Sequence, residues 1–86
     1  MPNLNCGDLF MNNEKIKSLL QQNKKVQFKL YSMDYVIEQK DDSVIIYSPT
    51  YPKDIKKYAN IDNLLLNFTV YNESLIDSDS RIININ

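Results

Sequence analysis

Histidine is absent, and glycine and cysteine occur once each, as Gly7 and Cys6. Each scarcity excludes a class of chemistry. Without histidine the chain lacks the commonest general base, the usual partner of a serine or cysteine nucleophile, and the ligand found in most zinc sites. Cys6 has no base near it in sequence to lower its pKa and reads as an inert thiol. A phosphate-cradling loop needs several glycines so that backbone amides can approach the anion, so neither a P-loop nor a dinucleotide fingerprint can be written here. One cysteine forms no internal disulfide, which for a small domain points to a reducing compartment, the cytoplasm of a bacterial-type cell. Long apolar runs are missing too. Val44-Ile45-Ile46-Tyr47 is among the longest, far short of a membrane span, and the first ten residues carry neither the positive charge nor the apolar block of a signal peptide.

What is present fits one small globular domain. With 86 residues, 43% hydrophobic and 24% charged, the chain can build one core. The net charge of −1 gives no general attraction to nucleic acid or to an anionic membrane. Residues 1–11 show no period and read as a flexible leader; residues 12–86 read as a single α+β domain.

The order of elements follows from periodicity. Ile16, Leu19 and Leu20 form a stripe at i, i+3, i+4 within a helix over 13–22, capped by Asn12 or Asn13 and with Glu14 near its positive end. Lys25 to Tyr31 alternates: Val26, Phe28 and Leu30 point one way, Gln27, Lys29 and Tyr31 the other. Ser32-Met33-Asp34 breaks that strand. Tyr35–Gln39 and Val44–Ser48 read as a hairpin about the polar turn 40–43. Pro49-Thr50-Tyr51-Pro52 is rigid punctuation, and 54–58 reads as a fourth strand pairing back on the third, with a helical turn opened by Pro52 as the rival. Ile61, Leu64, Leu65 and Phe68, at i, i+3, i+4, i+7, mark a second helix capped by Asn60 or Asp62. Thr69-Val70-Tyr71 prefers extended geometry, 72–74 a turn, and Leu75 and Ile76 the core. A polar loop over 77–80 leads to a closing strand, 81–85. The sum is a two-layer domain: helix, antiparallel meander of three or four strands, helix and short C-terminal strand. Two helices cover one face, which leaves the other to Gln27, Lys29, Tyr31, Glu38 and Tyr47.

Candidate sites are few. Asp41-Asp42 is the closest carboxylate pair, but it lies in a turn where water screens both charges, whereas a catalytic pair needs a cleft. Asp77-Ser78-Asp79-Ser80-Arg81 begins like a calcium loop, then places Arg81 at a ligand position and Ile82 where the glycine belongs. No metal, cofactor or catalytic residue is therefore assigned, and an enzyme is not expected. All nine lysines precede Tyr58, and six tyrosines are spread along the chain. Lysines and aromatics on a sheet can bind single-stranded nucleic acid, which would use Lys24, Lys25, Lys29, Lys56 and Lys57; the near absence of arginine argues against that partner. Tyrosine is also favoured at protein interfaces. The sequence thus points to a non-enzymatic protein-binding or regulatory accessory domain, acting on a partner or a second copy through Lys29, Tyr31 and Tyr47. An enzyme built on carboxylates and tyrosines is the third alternative, and no membrane is involved.

Overall fold

The computed structural model describes residues 11–86; the leader expected over 1–11 lies outside them, save for Met11. The chain is α+β. Helix α1 (Met11–Asn23) leads into β1 (Lys25–Leu30), β2 (Met33–Gln39), β3 (Val44–Ser48) and β4 (Tyr51–Tyr58), an antiparallel meander in the order β1-β2-β3-β4. Helix α2 (Ile61–Asn67), a two-residue hairpin of β5 (Thr69–Val70) and β6 (Glu73–Ser74), and a 3₁₀ turn (Asp79–Arg81) complete it. No helix among the described residues is long and apolar enough to cross a membrane.

One core joins both helices to one face of the sheet. Ile16 and Leu20 of α1 and Leu64 and Leu65 of α2, with Phe68, pack with Val26, Phe28, Leu30, Ile37, Val44 and Ile46; Leu75 and Ile82 close the cluster. Each stripe predicted from periodicity faces this core, with Leu19 and Ile61 partly buried at its margin, and burial of apolar area is the main stabilising term for so small a body. Tyr35 extends this core: its ring stacks on Phe28 at 5.5 Å and meets Phe68 edge-on at 5.7 Å. Asn60 caps α2, its Oδ1 accepting the Asn63 amide at 2.8 Å.

Several local readings are corrected. Helix α1 includes Asn12 and Asn13 in its first described turns, and neither caps it. The acceptor is the Asp79 carboxylate, in the stretch read as a polar loop; Ser78 and Asp79 are buried there. Lys24, at φ 64°, ends the helix in the left-handed region and returns its amide to the Leu20 carbonyl at 2.8 Å. The closing strand is reduced to a bridge between Lys29 and Ile83. Lys29 and Ile83 exchange backbone bonds of 2.8 and 2.9 Å, and so do Gln27 and Asn86. The register slips by one residue between these pairs, and Asn84, at φ 55°, takes up the slip. This segment covers the outer edge of β1.

The opposite edge is built differently. The segment 54–58 is strand, and its residues 56–58 pair with β3. Ile46 faces Lys56, yet Ser48 faces Tyr51, so residues 52–55 bulge out opposite Tyr47 alone. Pro52, the bulge, and Lys53, Lys56 and Lys57 are features that discourage an edge from pairing with another chain.

Candidate functional site

The sheet has an outer face that no described helix or hairpin covers with core residues. Register fixes its members, because residues opposite one another share a face. Lys29 faces Asp34, Gln27 faces Val36, and Lys25 faces Glu38. Val36 faces Tyr47, and Glu38 faces Ile45, which in turn faces Lys57. Ile83 joins at Lys29 and Asn86 at Gln27. The face is thus a grid of five columns, with Val36, Ile45 and Tyr47 as its apolar strip.

Val36 is 2% exposed yet stands outside the main core cluster. Its short branched side chain is shielded by its row neighbours Gln27 and Tyr47 and its column neighbours Asp34 and Glu38. Tyr47 is half-buried, and its hydroxyl donates to Glu38 Oε2 at 2.7 Å. Glu38 also accepts from Lys40 Nζ at 3.0 Å. The Tyr47 bond, and after it that of Lys40, holds the Glu38 carboxyl below its ordinary value, while the same bond raises the Tyr47 hydroxyl. Lys25, Lys29 and Asp34 form no ion pair with any described residue.

Of the three surface residues named from sequence, Lys29 and Tyr47 lie on this face. Tyr31 does not. Strand β1 stops at Leu30, and Tyr31 and Ser32 form the turn to β2 with φ 52° and 65°. Positive φ at both central positions suits the twist of a two-residue hairpin and swings Tyr31 off the alternation. Its ring meets Tyr71 edge-on at 5.0 Å, and its hydroxyl donates to Glu73 Oε1 at 3.2 Å. Tyr71 and Asn72 turn β5 into β6 in the same way, at φ 53° and 68°. Glu73 Oε1 also accepts from Arg81 at 2.9 Å, so the tips of the two hairpins are tied together. Sequence reasoning missed Asp34, Val36, Ile45 and Ile83 as members of the outer face; only the pairing register reveals them.

No family model, curated protein or solved structure matches this chain.

The residues of the other two readings are dispersed. Lys25, Lys29 and Lys57 share the outer face, but Lys56 points to the opposite side and pairs with Asp54 at 3.7 Å, and Lys24 lies between α1 and β1. Lys17 and Lys40 line an open groove with Lys24 and Asp41, and both already pair with carboxylates: Lys17 with Glu14 and Asp62, Lys40 with Glu38. A cleft of about 220 Å³ opens on the inner face beyond the end of α2, lined by Met33, Tyr35, Tyr51, Asp54, Lys56 and Phe68 among others. Burial raises the Tyr35 hydroxyl above its ordinary value, whereas the Asp54 side chain is 72% exposed and lies in the solvent-facing bulge. The cleft therefore does not bring two desolvated acid–base groups together. Among the described residues no three potential metal ligands cluster.

Proposed function

We propose that this chain is a non-enzymatic protein-binding or regulatory accessory domain of the cytoplasm, and that its outer sheet face carries the contact. The supporting observation is the half-buried pair Ile45 and Tyr47, which stands outside the main core cluster, with Lys29 and Asp34 nearby on the same face and ion-paired to no described residue. A half-buried tyrosine whose hydroxyl is already satisfied by Glu38 presents a fixed ring edge at low entropic cost. Lys29 and Asp34 beside it can set orientation.

The test is site-specific photo-crosslinking in intact cells. A photoreactive side chain replaces Gln27, on the outer face, or Leu66, exposed on α2 on the far side of the core. Discrete protein adducts are expected from position 27 and not from position 66. No adduct from position 27, or the same adducts from both, overturns the reading.

A further inference from the structure

Resting on that reading of the outer face, we infer that the face is self-complementary and that its occupant is a second copy of this chain, packed sheet on sheet about a two-fold axis parallel to the strands. Its columns alternate in sign. The column on β1 carries Lys25 and Lys29, and the adjacent column on β2 carries Asp34 and Glu38, with Lys25 level with Glu38 and Lys29 level with Asp34. Neither of these level pairs closes into an ion pair within the chain.

A two-fold axis lying in the interface, along the boundary between β1 and β2, exchanges the two columns and keeps every level. Lys29 of one copy then stands over Asp34 of the other, and Lys25 over Glu38, each twice by symmetry. The same rotation brings Ile83, 52% exposed and bridged to Lys29, over the β3 side of the partner, at the level of Pro49 and beside Tyr47. By the same register Val36 stands over Gln27 and Tyr47 over Asn86, so Ile83 against Pro49 is the apolar contact on each flank while opposite charges meet in the centre. An axis perpendicular to the strands instead reverses the levels and sets Lys25 over Lys29, so the charges favour the parallel axis over the perpendicular one. Stacked sheets lie roughly 10 Å apart with their mean strand directions within about 30° of each other, a spacing that lysine and carboxylate side chains can span.

The face is small. Four overlapping columns about 4.8 Å apart and same-face residues about 7 Å apart along a strand give roughly 400 Å² per copy. That lies below the standard interface, so the association is weak and reversible.

The experiment is a charge exchange read by sedimentation equilibrium up to millimolar protein. Lys29→Glu and Asp34→Lys are made separately, and thermal melts confirm that each folds. Wild type is expected to show a monomer–dimer equilibrium that weakens with salt. Each variant alone should lose about tenfold or more in self-affinity, because like charges then face each other. An equimolar mixture should recover dimer to near the wild-type level, since Lys29→Glu meets Asp34→Lys across the axis and the native pair survives on the other side. A wild type monomeric at every concentration, or a mixture no better than its components, overturns the second copy as occupant. In that case crosslinks from position 27 to another protein would still leave the protein-binding reading standing. A dimer insensitive to both variants would place the contact elsewhere.

Discussion

Asp79 holds the first described turn of α1 from 66 residues away: its Oδ1 accepts the Asn13 amide at 2.7 Å. Oδ2 takes the Asn12 amide at 3.3 Å, and the Asn13 side chain donates to Asp79 Oδ1 and, at 3.0 Å, to the Leu75 carbonyl. A carboxylate at the positive end of a helix satisfies amides that have no intrahelical acceptor and opposes the dipole favourably. The contact ties the start of the described chain to its last turn and lets α1 and the Leu75–Ile82 segment share one core.

Replacing Asp79 with Ala should therefore destabilise the fold by about 2 kcal/mol, the usual scale for a lost cap plus a buried donor left unpaired. Asp79→Asn, which keeps an acceptor oxygen but not the charge, should fall between the two. Urea unfolding monitored by circular dichroism measures both, and equal midpoints for wild type and Asp79→Ala would remove the cap from the account.

This cap also marks how far sequence reading reaches. Stripes and alternations are local, and so Ile61/Leu64/Leu65/Phe68 and Val26/Phe28/Leu30 were readable from spacing alone. Asp79 was not, because a polar residue in a polar stretch gives no sign of a partner 66 positions away. Tyr31 misled for a related reason. Alternation continues on paper through position 31, while the chain turns there with tyrosine and serine in place of the Asn-Gly or Asp-Gly that advertises a two-residue hairpin. The outer face was partly legible: Lys29 and Tyr47 alternate outward on their own strands. The columns of charge beside them depend on register, which the turns and bulges set.

The helical stripe gives a paired test. Leu64 is fully buried and Leu66 is 62% exposed, two residues apart on one short helix. Leu64→Ala removes buried methyl groups and leaves a void, and should cost about 3 kcal/mol. Leu66→Ala has the same change in helix propensity and loses almost no packing, so it should stay within about 0.5 kcal/mol of wild type. Comparable losses in urea midpoint would mean that α2 is rotated from the orientation described.

Tyr47 and Glu38 give a pH signature. The Tyr47 hydroxyl and Lys40 lower the Glu38 carboxyl relative to its ordinary value. A carboxyl depressed in the folded state contributes stability above its unfolded pKa and loses it as pH falls through the folded one, so the Glu38 contribution should fade below pH 4.5. Tyr47 behaves in the opposite sense. Its raised hydroxyl contributes stability below the ordinary tyrosine value, and that contribution is lost as pH rises through the folded one. Tyr47→Phe should move the Glu38 titration upward, followed by NMR of the side-chain carboxyl, and should steepen neither limb. A Glu38 titration unchanged by Tyr47→Phe would leave the lysines, Lys40 foremost and then Lys25, as the cause.

The two edges of the sheet should differ in hydrogen exchange, because antiparallel pairing alternates the direction of successive backbone groups. On β1 the amides of Gln27 and Lys29 point away from β2 and are taken by the carbonyls of Asn86 and Ile83, each at 2.8 Å. Carrying that alternation across the register to β4 turns the Lys57 amide outward, where no described residue accepts it. Native-state exchange should therefore find Gln27 and Lys29 protected and Lys57 fast, although all three belong to the outermost strands of the meander. Ile83→Pro removes the amide that Lys29 accepts at 2.9 Å and breaks the bridge. Protection at Lys29 should then fall toward that of Lys57 while protection at Val26 and Phe28, which pair inward with β2, persists. If Lys29 exchanges as fast as Lys57 in the unaltered chain, the C-terminal segment does not seal this edge, and Ile83 loses its place on the outer face.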